Sequence, residues 1–325
     1  MTAPRNRTLT LSDEERAFYA RGLLRPAAGA ALGPETLTDR VVCCDLLSIL
    51  HRLPEACADL LVIDPPYNLS KNFHGQKFSA TGDEEYTAYL ESWFPRLLAV
   101  LKPRGCLYMC GDWRSGASVY GVMRKHLFVR SRITWQREKG RGAKANWKNA
   151  SEDIWFGTLS DEYYFDLQAV KQKRRVIAPY RKDGRPKDWL KTPEGNFRLT
   201  HPGNFWDDIC VPYWSMPENT GHPTQKPEKL IAKLVLASCP PGGLVLDPFA
   251  GSGTTAVVAR KLGRLFTCIE INEEYCLWAQ KRLALADKDK AIQGYEDGVF
   301  WERNTARKHI SRDESRRILE NNSHR

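Results

Sequence analysis

The sequence predicts an α/β protein built on a parallel or mixed sheet, and three observations carry that expectation. Apolar strand patterns alternate with helix patterns along most of the chain. One buried strand, Leu60-Leu61-Val62-Ile63, stops at an acid, two prolines and an aromatic, Asp64-Pro65-Pro66-Tyr67. A second apolar run, Leu244-Val245-Leu246-Asp247, enters a glycine turn, Phe249-Ala250-Gly251-Ser252-Gly253-Thr254, and then a helix pattern.

Taken in order, residues 8–25 open with Ser12 and Glu15 at capping-box spacing, so a short helix is expected there. Residues 26–34 are rich in Ala, Gly and Pro and read as a linker. Val41-Val42-Cys43-Cys44-Asp45 is a strand ending in an acid, followed by a helix over about 46–53. After the Asp64 strand, residues 68–82 show little periodicity and read as a mobile loop. Residues 86–101 are helical in pattern, with a kink or break expected at Pro95. Strands are expected at 105–110, 128–135 and 153–156, and a helix at 228–237. The second half closes with the glycine-turn unit, its helix over 256–263, a strand Leu265-Phe266-Thr267-Cys268-Ile269-Glu270, and a helix near 273–285. The charged tail, 287–325, is expected to be partly disordered or to add a helix. At 325 residues, a single α/β domain is expected to hold most of this chain.

Chemistry concentrates at the strand ends. Asp64 places a carboxylate at the carboxyl edge of the sheet, where α/β proteins bind ligands. Pro65 and Pro66 remove two N–H donors and leave carbonyls to accept, while Tyr67 offers a flat face for a planar group. A carboxylate, a carbonyl and a stacking ring suit a site that grips an exocyclic amino group on a base. The glycine turn allows close backbone approach, and the helix behind it adds donors. Glu270, about 20 residues further on, has the placement that binds ribose hydroxyls. Together these point to a cofactor containing adenosine.

Charge points the same way. A formal charge of +10 and a pI of about 9.1 favour a polyanionic partner. Lys173, Arg174, Arg175, Arg181 and Lys182 lie in one basic stretch; Pro179, Gly184 and Pro186 argue against a regular helix there, so an irregular basic insertion is expected. Arg137, Lys139, Arg141 and Lys144 form a second cluster, flanked by Trp135 and Trp147, and Lys71 adds a charge in the 68–82 loop. These ten residues are the candidate nucleic-acid contacts. The alternative for such runs is a solvated face. Nine cysteines without a CxxC pair indicate reduced thiols and no zinc site. No apolar run approaches the ~20 residues of a membrane span, and residues 1–16 lack the apolar stretch of a signal peptide. A cytoplasmic location with no membrane partner is therefore expected.

The chain resembles the β-class amino-directed DNA methyltransferases over roughly residues 38–285. The resemblance rests on Asp64-Pro65-Pro66-Tyr67 early, Phe249-Ala250-Gly251-Ser252-Gly253-Thr254 late, and His222-Pro223-Thr224-Gln225-Lys226-Pro227 just ahead of the late strand. It implies the S-adenosylmethionine-dependent methyltransferase fold, a Rossmann-like mixed sheet of seven strands, in permuted order because the catalytic strand precedes the cofactor unit. Residues 1–37 would be an N-terminal extension, 159–206 an inserted target-recognition region, and 286–325 a C-terminal extension. Asp64, Pro65, Pro66 and Tyr67 would be catalytic. S-adenosyl-L-methionine would be held by Phe249, Ala250, Gly251, Ser252, Gly253 and Thr254, by Glu270 on the ribose, and by Thr224, Gln225 and Lys226 at the methionine end beside Asp64 and Pro65. Two roles are open to Asp45: contact with the adenine amino group, or the cap of the following helix. His222 is equally open to a ligand or a turn-fixing role.

The reaction implied is transfer of a methyl group to adenine N6 in double-stranded DNA after base flipping, with no metal. Cytosine N4 is the alternative target, and an aspartate at the head of the tetrapeptide leans toward adenine. A catalytically silent DNA-binding relative would be expected to have lost Asp64 or the glycines, and both are present. A homodimer and a cognate restriction endonuclease are further partners that the resemblance allows.

Overall fold

A computed structural model describes residues 6–68, 71–73, 76–78, 81–137, 147–176, 180–192 and 195–302. Its centre is a mixed sheet of eight strands in the spatial order Arg40–Cys43, Leu265–Glu270, Leu244–Asp247, Ala58–Ile63, Leu101–Gly111, Ser151–Thr158, Phe128–Gln136 and Phe205–Trp206. The first five run parallel. Ser151–Thr158 is antiparallel to both its neighbours. The sheet has one strand more than the expected seven. The extra strand is the two-residue segment Phe205–Trp206, which pairs with Thr134 and Trp135 and is too short to carry a periodic signal.

Alternation within the strands builds two cores. Leu60, Val62, Cys106, Tyr108 and Cys110 face one way, against helices Glu228–Ser238, Thr254–Lys261 and Glu273–Lys288. Leu61, Ile63, Leu107 and Met109 face the other way, against Asp83–Leu98 and Gly116–His126. Because parallel strands covered on both sides bury every residue, the sequence shows runs rather than alternation. The helix Gly116–His126 was not among the expected elements, and Asp83–Leu98 continues through Pro95. The short N-terminal helix expected within residues 8–25 is Asp13–Ala20, and Ser12 and Glu15 form both halves of its capping box.

Two expectations fail outside the central sheet. The 68–82 segment, expected without regular structure, contains a hairpin pairing Lys71–Phe73 with Gln76–Phe78. The side chain of Asn68 ties its ends together, bonding Thr81 N at 2.7 Å and Thr81 O at 2.9 Å. The basic insertion is β-structure, not irregular chain. Strands Leu190–Thr192, Gly195–Thr200 and Gln172–Arg175 form a second sheet, completed by Val299–Trp301 and Tyr295–Glu296 from the far end of the chain. Residues 295–301 are therefore neither helix nor detached tail, because they complete the edge of this sheet; residues 303–325 lie outside the described residues. Long-range pairing of such short strands leaves no local pattern. Among the described residues no helix is long and apolar enough to cross a membrane.

Candidate active site

The permuted chain brings two strand tips side by side. Val245 and Leu246 register with Leu60 and Leu61, so Asp247 and Asp64 leave the same edge of adjacent strands. A single cavity joins these tips. Its lining includes Asp64 to Tyr67, His222, Thr224 to Lys226, Phe249 to Ser252, Thr254, Glu270 and Tyr275. Three segments far apart in sequence, the tetrapeptide, the His222–Lys226 stretch and the glycine loop, thus share one pocket.

At one end Asp64 is held by two donors. Tyr67 Oη donates to its Oδ1 at 2.8 Å, and Lys226 Nζ donates to its Oδ2 at 2.6 Å. Lys226 Nζ also lies 3.2 Å from Tyr67 Oη and 3.6 Å from Glu152 Oε2. Burial pulls the pKa of this ammonium down, but the Asp64 and Glu152 carboxylates outweigh it and hold the Lys226 pKa above its ordinary value. Burial, reinforced by the same two carboxylates, drives the Tyr67 phenol well above its usual range, so it serves as a neutral donor.

At the other end the glycine loop turns under Glu270. Gly251 N donates to Glu270 Oε2 at 2.8 Å and Asn272 N to Oε1 at 2.8 Å, while burial raises the carboxyl pKa. Gly251 has φ +52°, and a Cβ there would meet His222 Nε2 at 2.9 Å, so loop and His222 fit only with glycine. Gly253 has φ +75°, and its Cβ would lie 2.4 Å from the Ala279 Cβ. It lets the helix pack instead of lining the cavity. Thr254 Oγ1 donates to Lys226 O at 3.0 Å, fastening the loop to the lysine segment.

Several expected residues have other work. Asp45 does not line the cavity; its Oδ1 caps the Leu46–Ile49 helix by accepting from Leu47 N at 3.1 Å. The Gln225 side chain accepts from Thr220 N and Oγ1 and donates to Glu218 O, so its polar atoms hold the turn. Arg137 is largely buried, its side chain 13% exposed, and its guanidinium pairs with the buried Glu152. Lys173 is packed over the rings of Trp301, 4.1 Å, and Phe197, 4.8 Å, and Arg174 pairs with Glu302 at 3.4 Å. Arg175, Arg181 and Lys182 are exposed. Lys71 sits in the hairpin, and Lys139, Arg141 and Lys144 lie outside the described residues.

Other pocket residues escaped the sequence reading. Asp247 accepts from Phe249 N at 3.0 Å and Thr255 Oγ1 at 2.5 Å, and burial raises its pKa to about 7. Its place before Pro248 and Phe249 was the available signal. Tyr275 meets His222 edge-on at 4.4 Å, and Glu152, which lies outside the cavity lining, reaches Lys226 across the sheet. Neither carries a local motif.

Comparison with known proteins agrees with this geometry. A family model described as DNA methylase matches residues 58–281. The DNA adenine methyltransferase YhdJ of Escherichia coli K12 is 35% identical over 74% of this chain and 81% of its own. The type II methyltransferase M.HpaI of Haemophilus parainfluenzae is 31% identical over 80% of this chain and 77% of its own. Among solved structures, the PvuII cytosine-N4-specific DNA methyltransferase shares the fold with a TM-score of 0.54 at 18% identity, covering 77% of this chain and 91% of that one. The chain belongs to the DNA methylase family of adenine-N6 and cytosine-N4 methyltransferases.

Proposed function

We propose that this protein transfers a methyl group from S-adenosyl-L-methionine to N6 of adenine in double-stranded DNA, with the target base flipped out of the helix. The observation that carries the reading is the position of Asp64 across one cavity from the Gly251 loop and Glu270. The adenine activity named for the YhdJ relative supports the choice of base.

The cofactor is S-adenosyl-L-methionine, and the cavity suits it. Glu270 is a carboxylate fixed beside the loop and fit to accept from ribose hydroxyls, and the Gly251 turn, closed against His222, leaves no room for a Cβ. Phe249 and Ala250 line the apolar part. When bound, the cofactor supplies an electrophilic methyl on a sulfonium.

An adenine amine is a poor nucleophile because its lone pair is delocalised into the ring. Asp64 Oδ2 and the Pro65 carbonyl accept hydrogen bonds from its two N–H groups and draw the nitrogen toward tetrahedral geometry, and Asp64 is placed to take the one proton that the amine must lose once it carries the methyl. The Pro66 carbonyl already accepts from Tyr86 Oη at 3.0 Å, so Pro65 offers the second acceptor. The Tyr67 ring, fixed by its hydroxyl on Asp64, gives the extruded base a stacking face. Catalysis comes from placement and electrostatics, with no covalent nucleophile. The type II relative M.HpaI supports a place in a restriction-modification system.

Mass spectrometry of digested DNA, after incubation with protein and cofactor, tests the reading. N6-methyladenine is expected. N4-methylcytosine as the product would overturn the choice of base and leave the fold and cofactor reading standing.

A further inference from the structure

Asp64 faces a conflict in its own site. To polarise a target amine it must present a carboxylate oxygen, yet Lys226 Nζ sits on Oδ2 at 2.6 Å and Tyr67 Oη on Oδ1 at 2.8 Å. An ammonium at that distance competes with an incoming amine hydrogen for the same lone pairs and withdraws the negative charge that the amine needs.

The structure holds a second acceptor for this ammonium. Glu152 lies on strand Ser151–Thr158, opposite Trp135, and its side chain is 1% exposed. One of its oxygens, Oε1, takes the Arg137 guanidinium. The other, Oε2, has no hydrogen-bond partner among the described residues and lies 3.6 Å from Lys226 Nζ. An unsatisfied buried carboxylate oxygen is costly, and it persists where something else compensates. A shift of Nζ by about 1 Å would bring this pair within normal hydrogen-bond distance.

We propose that Glu152, oriented by Arg137, is a positioning residue that receives the Lys226 ammonium when Asp64 engages the target amine. The inference rests on the methyltransferase reading above. Lys226 then has two stations. It neutralises Asp64 while no amine is present, and it moves to Glu152 as the amine arrives, leaving Asp64 charged. The two carboxylates and two cations keep the cluster neutral in both arrangements. Glu152 touches neither base nor cofactor in this scheme; it acts through Lys226.

The test uses the full-length protein, labelled S-adenosyl-L-methionine and duplex DNA, with turnover and cofactor affinity measured on the same preparations. Glu152→Gln keeps the size and removes the charge. The expected result is a fall in kcat of tenfold or more, with the cofactor Kd within twofold of wild type. Glu152→Asp, which restores the charge, should recover part of that loss, a graded response that packing alone does not produce. Should Glu152→Gln not fold, the Glu152→Asp variant decides, with reduced kcat and intact cofactor binding expected. Wild-type kcat in either folded variant, or a cofactor Kd weakened by the same factor as kcat, would overturn the proposal. The methyltransferase reading fails separately: it falls if wild-type protein leaves the DNA unmethylated.

Discussion

Replacing Asp64 by Asn separates chemistry from binding. The change keeps the shape of the side chain and an oxygen for the Tyr67 hydroxyl, 2.8 Å away, but removes the charge that Lys226 and the target amine share. With one oxygen held by Tyr67, a single carboxylate oxygen serves the amine, so one charge-assisted hydrogen bond is lost in the transition state. Loss of a comparable electrostatic donor in an enclosed site costs about 3–4 kcal/mol, or roughly a 10²–10³-fold fall in kcat. The fold should survive. Lys226 retains Glu152 at 3.6 Å, and Asp64 is 22% exposed, so the stability loss should stay below the ~3–5 kcal/mol of a buried pair stripped of one partner. Glu270 and the Gly251 loop are untouched, so cofactor affinity should change little. Labelled-methyl incorporation, calorimetric titration with S-adenosyl-L-methionine and thermal melts on one preparation give the three readouts. A kcat within threefold of wild type would refute the mechanism, and a cofactor Kd weakened in step with kcat would move Asp64 into the cofactor shell.

Gly253→Ala should destabilise the protein by about 2–5 kcal/mol in urea unfolding, summing the left-handed backbone and the 2.4 Å clash with Ala279; a loss under ~1 kcal/mol would contradict it. Burial lifts the folded Asp247 pKa to about 7, above its unfolded value near 3.8, so the native state binds more protons between those limits and stability falls as pH rises through that window. Asp247→Asn should flatten this decline between pH 4 and 7, seen in melts at several pH values, and an unchanged slope would count against a buried ionising group. Replacing the exposed Arg175, Arg181 and Lys182 with Gln should reduce the log–log salt slope of DNA binding by about 0.9 for each phosphate no longer neutralised, with cofactor affinity constant; an unchanged slope would make these charges a solvated face. Lys173→Gln should instead lower stability in the same melts, because its ammonium packs on Trp301 and Phe197.

What the sequence determined by itself was local. The Asp64 and Asp247 strands, the glycine turn and the Ser12 capping box are written in contiguous residues, since buried parallel strands leave apolar runs and turns and caps demand particular residue types. The pocket's main segments were legible for the same reason: Asp64 to Tyr67, His222 to Lys226 and Phe249 to Ser252 are unbroken motifs. Tertiary structure decided which side chains meet. Asp45 could bind a ligand or cap a helix by its sequence, and only the helix geometry gives it to Leu47. Arg137 reads as a DNA contact in a basic run, yet it directly follows strand Phe128–Gln136, whose pairing with Ser151–Thr158 sets it beside Glu152. Glu152 reaches Lys226, 74 residues away in the chain, because the sheet and the permuted order of the strands carry both to one edge. The insertion sheet needed Val299–Trp301 from the far end of the chain to complete it. Such contacts depend on strand order and register, which residue spacing along one segment does not encode.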